Sequence, residues 1–130
     1  MKRLALDTSA YSDFMRGSPP AVEAFRAHDR LLLCPVAIGE ILAGLPGTAS
    51  EARRRNLLRR FLTEDRVERV PITEETAEFY AHLVADLKRS GTPIPTNDVW
   101  IAASAMEHGA SLATRDKHFQ HLHGILIVPL

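Results

Sequence analysis

Residues 4–9 read Leu-Ala-Leu-Asp-Thr-Ser, a short apolar run that stops at an acid. The apolar residues predict a buried first strand, and Thr8 and Ser9 predict the start of a helix. Asp7 therefore lies where a strand meets a helix. In open parallel sheets, ligands bind beyond the carboxyl ends of the strands, so a functional acid is expected at this junction.

Short apolar runs and helical segments alternate along the rest of the chain. Further strands are predicted at residues 31–33, 67–72, 111–113 and 125–128. The segments between them carry apolar residues at helical spacing. Continuous apolar runs of this length suit strands that are covered on both faces, so we expect a parallel sheet in an α/β/α sandwich.

Length and composition indicate one compact domain. The chain has 130 residues, of which 45% are apolar, enough for a core within a single domain over residues 1–130. Lys and Arg number 16 and balance the 16 Asp and Glu, so no overall basic field indicates a nucleic acid partner. An acid at position 7 argues against a signal peptide, and no apolar run approaches the ~20 residues of a membrane span. The single cysteine, Cys34, excludes an internal disulfide and favours a cytoplasmic protein.

Two further acids are predicted to face the same edge as Asp7, and the side chain of a third, Glu40, is long enough to reach toward it. Asp116 follows the strand at 111–113 by three residues, and Asp98 lies in the first turn of a helix for which Thr96 is the predicted cap. Glu40 lies inside a helix, beside its apolar stripe. Four carboxylates gathered at one edge would repel one another, and a bound cation relieves that repulsion. The acids therefore predict a divalent metal, and with it phosphate chemistry.

Each acid also has a simpler explanation when it is taken alone. Asp7 and Asp116 are typical helix N-cap residues, and Asp98 would interact favourably with the positive end of its helix dipole. Glu40 is typical of a solvent-exposed helix surface. All four acids together at these positions are less expected by chance than any one of them alone. Carboxylate oxygens are hard ligands that favour Mg²⁺ or Mn²⁺, and neither the lone cysteine nor the three histidines at 118, 121 and 123 have zinc-ligand spacing.

The acids lie within four local motifs. These are Leu6-Asp7-Thr8-Ser9, Gly39-Glu40-Ile41, Asn97-Asp98-Val99-Trp100-Ile101-Ala102-Ala103 and Thr114-Arg115-Asp116. In this order and at these intervals, the motifs resemble the four signatures of the PIN-domain nucleases, and among them most closely the VapC-type toxins of bacterial toxin–antitoxin pairs. The resemblance extends over essentially the whole chain.

The resemblance implies a PIN fold with a central, mostly parallel five-stranded sheet and an acidic pocket. It implies an endoribonuclease that depends on Mg²⁺ or Mn²⁺. By motif position the catalytic and metal-binding roles fall to Asp7, Glu40, Asp98 and Asp116, with supporting hydroxyls at Ser9 and Thr114. Many relatives carry another acid two residues after the last of these acids, where this chain has His118, so we expect a second metal to be held weakly or only with substrate.

The resemblance also implies partners. Besides an RNA substrate, these are a VapB-like antitoxin whose tail covers the acidic pocket, a second copy in a homodimer, and a toxin–antitoxin hetero-oligomer, without a membrane. We expect the helices at 50–63 and 73–89 to form the groove for the tail. The arginine-rich stretch at 53–60 suits either RNA phosphates or an acidic partner, and equally a solvated helix face.

Other classes are also considered. A phosphoryl-transfer enzyme of the haloacid dehalogenase type requires an acid two residues after its nucleophile, where this chain has Ser9. A response-regulator receiver requires an Asp at a strand end in mid-chain, where residues 51–62 indicate a helix. The alternative outside enzymes is a catalytically silent RNA-binding PIN module. Such modules often lose one or more acids, whereas all four are present here.

Overall fold

The computed structural model describes residues 1–130, which form five strands, six α-helices and one 3-10 helix. The strands are β1 Arg3–Leu6, β2 Arg30–Leu33, β3 Val67–Arg69, β4 Ser111–Thr114 and β5 Ile127–Pro129. The helices are α1 Thr8–Met15, α2 Pro19–Arg26, α3 Pro35–Ala43, α4 Glu51–Leu62, α5 Glu74–Ser90 and α6 Thr96–Glu107, and the 3-10 helix is Lys117–His121. None of the helices combines the length and apolar character that crossing a bilayer requires.

The five strands form one sheet in the order β3-β2-β1-β4-β5. Every neighbouring pair is parallel, so the sheet is wholly rather than mostly parallel. The chain builds outward from β1 to β3 and then returns to place β4 on the other side of β1. This reversal opens a crevice at the carboxyl ends of β1 and β4, which is where parallel sheets bind ligands.

The central strands are covered on both sides. Leu4, Leu33 and Leu112 have no exposed surface, as expected for strands of a parallel sheet between two helical layers. Helix α6 packs against β1 and β4, and its buried residues include the small Ala102 and Ala103, which have no exposed surface. This close packing fixes the start of α6, and with it Asp98, relative to β1 and β4.

Several element boundaries differ from the sequence prediction, and three of them have a clear local feature. Strand β3 ends at Arg69 instead of residue 72, because Pro71 has no N–H for the ladder. Strand β5 begins at Ile127 instead of residue 125, after an exposed Leu126. The predicted cap of α6, Thr96, is the first residue of the helix, and Pro95 occupies the cap position.

Candidate active site

The four predicted acids come from four different elements. Asp7 caps α1 directly after β1, and Asp116 caps the 3-10 helix after β4. Asp98 lies in the first turn of α6, and Glu40 lies within α3. The charges of the other three acids all act on Asp98, which places the four carboxylates at one edge of the sheet.

The carboxylate of Asp7 is buried and held at both oxygens. Its Oδ1 accepts hydrogen bonds from the Ala10 N–H at 2.8 Å and from the Ser9 hydroxyl at 2.7 Å, and its Oδ2 accepts one from the Thr114 hydroxyl. Burial raises the pKa of Asp7, and these three hydrogen bonds act in the opposite direction. Both predicted supporting hydroxyls therefore contact the same acid.

Glu40 reaches the acidic edge from the middle of its helix. The hydroxyl of Thr8 donates to its Oε1 at 2.6 Å, and the side-chain amide of Asn97 donates to its Oε2 at 3.3 Å. Thr8 follows Asp7 and Asn97 precedes Asp98, so Glu40 is hydrogen-bonded to the neighbours of two other acids. The sequence analysis assigned no contact to either Thr8 or Asn97.

Asp98 takes part in none of the hydrogen bonds of the site. Burial, followed by the charges of Glu40, Asp116 and Asp7, raises the pKa of Asp98 to about 6, while the nearby His118 acts weakly in the other direction. The protein thus leaves one carboxylate without a donor and surrounded by like charge. A cation would remove this unfavourable interaction.

Asp116 is oriented by its own turn. Its N–H donates to the Thr114 hydroxyl at 2.9 Å, and its Oδ1 accepts from the His118 N–H at 2.8 Å. The ring Nδ1 of His118 lies 2.9 Å from the same oxygen. The residue two positions after Asp116 is thus a histidine in contact with that acid.

The donor chemistry of the cluster fits a hard divalent cation. As the side chains stand, no three acids, histidines or cysteines are arranged to ligate one common metal ion. The carboxylate oxygens are nevertheless the ligands that Mg²⁺ and Mn²⁺ prefer, and the charges of three neighbouring acids add to the effect of burial in raising the pKa of Asp98.

Comparison with known proteins places this geometry in a family. The PIN domain family matches residues 4–125. The chain belongs to the PIN-domain family. Ribonuclease VapC4 of Mycobacterium tuberculosis is 32% identical to this PIN domain over 73% of each chain. VapC ribonuclease Y4jK of Sinorhizobium fredii is 32% identical over 87% of this chain and 86% of its own.

Solved structures agree with the PIN fold. VapBC-5 of Mycobacterium tuberculosis, a member of the VapBC family of toxin-antitoxin systems, aligns over 100% of both chains with a TM-score of 0.77 and 27% identity. VapBC2 of Rickettsia felis, bound to a DNA fragment from its promoter, aligns over 96% of both chains with a TM-score of 0.84. At 19% identity the second likeness supports the fold alone.

A cleft of about 380 Å³ adjoins the acidic edge of the PIN domain. It lies between α1, α3 and α4, and its wall includes Glu40, Arg53 and Arg54 together with the apolar Ile41 and Leu57. A second hollow of about 330 Å³ continues along α4 past Phe61. Of the two helices expected to form a groove, α4 lines both hollows and α5 lines neither, because α5 packs against α6.

One buried charge of the PIN domain escaped sequence reasoning. Asp13, on α1, is 4% exposed and accepts hydrogen bonds from Arg16 and Arg115. Its position one helical turn after Ser9 was the available signal, since it places both side chains on one face of α1. The partner in the last motif, Arg115, lies 102 residues away and is identified only by the fold.

Proposed function

We propose that this PIN domain is a metal-dependent endoribonuclease of the cytoplasm and the toxin of a type II, VapBC-like toxin–antitoxin pair. One observation carries the proposal: four carboxylates from separate elements lie near one sheet edge, where burial and the charges of the other three raise the pKa of Asp98. The ribonuclease names of relatives at 32% identity support the choice of RNA as substrate.

In the proposed mechanism Asp7, Glu40, Asp98 and Asp116 would hold Mg²⁺ or Mn²⁺. When bound by these residues, such a cation would supply Lewis acidity for the activation of water and positive charge opposite the phosphate. The chain's own residues determine the positions of the ligands. Hydrogen bonds from Ser9, Ala10 and Thr114 leave Asp7 little freedom to rotate, which favours one ligand geometry.

The other acids have distinct parts in this proposal. Glu40, held by Thr8 and Asn97, has its oxygens partly engaged and suits the orientation of the attacking water. Asp98 has no competing donor, so both of its oxygens are free for a cation. Attack of water on the phosphorus, with breakage of the bond to the 3′ oxygen, would leave a 3′-hydroxyl on one product and a 5′-phosphate on the other.

Cleavage of labelled RNA tests the proposal. The purified protein is expected to cut RNA with Mg²⁺ or Mn²⁺ and to stop when EDTA is added. Asp98→Asn is expected to fold and lose cleavage. Asp65→Asn, the same change at an exposed position before β3, is the matched control and should cut normally. Cleavage that survives both EDTA and Asp98→Asn would reject the assignment.

The same assay separates the alternative function. A catalytically silent RNA-binding module would retain labelled RNA in a binding assay but produce no metal-dependent fragments. The four acids favour the enzyme, because binding alone gives no reason to gather negative charge where RNA phosphates would lie.

We also propose that a VapB-like antitoxin restrains the enzyme by laying its tail in the cleft beside Glu40. The apolar and arginine-lined wall along α1, α3 and α4 suits an amphipathic segment. Solved relatives are VapBC complexes, which supports this partner. Co-expression with the neighbouring reading frame, followed by mass measurement of the purified assembly, would show whether a homodimer and a hetero-oligomer form.

A further inference from the structure

A buried carboxylate outside the acidic edge joins two arginines. The residue is Asp13, near the end of α1, and it is 4% exposed. Its Oδ1 accepts hydrogen bonds from Arg16 Nη2 and from Arg115 Nη1, the latter at 2.8 Å. Because an unpaired charge at this depth is strongly unfavourable, the carboxylate requires at least one of the two guanidinium groups.

The two arginines connect Asp13 to different parts of the chain. Arg16 follows Asp13 by three residues, so that pair bears only on the end of α1. Arg115 belongs to the segment between β4 and the 3-10 helix, 102 positions away. The Asp13–Arg115 pair therefore connects α1 to the segment that contains Asp116.

Arg115 is attached to α1 at two points. Its main-chain N–H donates to the Ser9 hydroxyl oxygen at 3.0 Å, and that hydroxyl donates to Asp7 at 2.7 Å. Its guanidinium binds Asp13, one helical turn further along the same face of α1. The main chain of Arg115 thus lies at the acidic edge, while its guanidinium lies beside that edge.

The guanidinium of Arg115 keeps most of its donors free. Its side chain is 56% exposed, and of its five N–H donors the bond to Asp13 uses one at Nη1. A planar cation held from behind by a buried acid loses little side-chain freedom when it binds a ligand. Planar guanidinium groups are well suited to bidentate binding of phosphate.

We infer that Asp13 is a positioning residue that holds Arg115 against an RNA phosphate adjacent to the one that is cleaved. This inference rests on the proposed ribonuclease function. Four acids at the site would repel the RNA backbone, and a fixed cation at their border compensates for part of that field. Asp13 itself touches no substrate and acts through Arg115.

Equilibrium RNA binding tests this inference without cleavage. The variants are made in the Asp98→Asn background, and anisotropy of a labelled single-stranded RNA is followed with Mg²⁺ over a range of salt concentrations. Arg115→Met is expected to weaken binding about tenfold and to lower the slope of log affinity against log salt by about 0.7, the loss of one phosphate contact. Arg26→Met removes the same charge from the exposed end of α2, at the opposite edge of the sheet, and should change neither quantity.

Asp13→Asn separates positioning from simple stability. It keeps the shape of the side chain but removes the charge that holds the guanidinium. RNA binding should weaken several-fold in the Asp98→Asn protein and no further when Arg115→Met is already present. Arg115→Lys should recover only part of the affinity, because a lysine lacks the planar fork. Asp13→Glu, which retains the charge but displaces it, replaces Asp13→Asn if the latter does not fold.

The outcomes distinguish this inference from the proposed function. If the unmutated protein cleaves RNA but Arg115→Met leaves affinity and salt slope unchanged, the positioning role is wrong and the ribonuclease stands. An equal loss from Asp13→Asn with and without Arg115 would assign Asp13 to stability alone and would also overturn it. If the unmutated protein neither binds nor cleaves RNA, the ribonuclease proposal itself is wrong.

Discussion

Two carboxylates of the same site are treated in opposite ways by the fold. Asp7 is buried and receives three hydrogen bonds, whereas Asp98 is partly exposed and receives none. Burial raises the pKa of both, but only Asp98 has the charges of all three other acids among the causes. The comparison shows one carboxylate that is fixed by hydrogen bonds and another that has no donor to offset its burial and the charges of its neighbours.

The largest expected effect is the loss of RNA cleavage when either acid is replaced. The stability of the two variants then distinguishes Asp7 from Asp98. Both Asp7→Asn and Asp98→Asn should lower RNA cleavage by at least about 100-fold, because each removes a charge that the proposed mechanism uses to hold the cation. Only Asp7→Asn should also destabilise the fold, by about 1–3 kcal/mol, since its new amide group faces donors that need an acceptor. Steady-state cleavage and chemical denaturation measure the two effects. Equal stability of the two variants would contradict the difference drawn here.

The next largest effect is expected on metal affinity, when Thr114 is replaced. Its buried hydroxyl donates to Asp7 and accepts from the Asp116 N–H, so it couples two acids. Thr114→Val keeps the shape and should weaken metal affinity about 10- to 100-fold, as measured by calorimetry. Thr63→Val, at an exposed position after α4, is the matched control. Unchanged metal affinity in Thr114→Val would show that this hydroxyl does not orient the ligands.

The raised pKa of Asp98 predicts a dependence of stability on pH in metal-free protein. Its pKa is about 6 in the folded chain against an ordinary value of 3.8, so folding favours the protonated form. This contribution is fully present below about pH 4 and is lost as the pH rises to about 6. With EDTA at pH 7.5, Asp98→Asn should therefore be more stable than the unmutated protein, by about 1 kcal/mol after allowance for solvent screening.

Thermal unfolding across pH 4 to 8 measures that effect. The difference between the two proteins should shrink toward pH 4, where Asp98 is protonated. Added Mg²⁺ should raise the midpoint of the unmutated protein more than that of Asp98→Asn. A difference in stability that stays constant at every pH would show that folding does not raise the pKa of Asp98.

The smallest effect concerns the two donors to Glu40. The Thr8 hydroxyl lies 2.6 Å from Oε1, and the Asn97 amide lies 3.3 Å from Oε2, so the first bond is the stronger. Thr8→Val should lower the cleavage rate more than Asn97→Ala, each by no more than about tenfold. Comparison of the rates at saturating Mg²⁺ checks the order, and the reverse order would assign the orientation of Glu40 to Asn97.

Much of the site was predictable because some rules are local. A run of apolar residues that ends at Asp7, and an acid in the first turn of a predicted helix at Asp98, depend only on neighbours along the chain. Glu40 was different, since no local rule distinguishes an acid inside a helix from a surface residue. It was placed in the site by its motif, and the structure shows the two hydrogen bonds that bring it there.

The sequence alone determined the alternation of strands and helices and the edge at which the acids lie, because strand ends and helix starts follow from nearest neighbours. Only the tertiary structure decided which side chains meet. The bonds from Thr114 to Asp7 and from Arg115 to Asp13 span 107 and 102 residues. Such pairs depend on strand order and on the packing of α1 against β4, and these emerge only when the whole chain has buried its core.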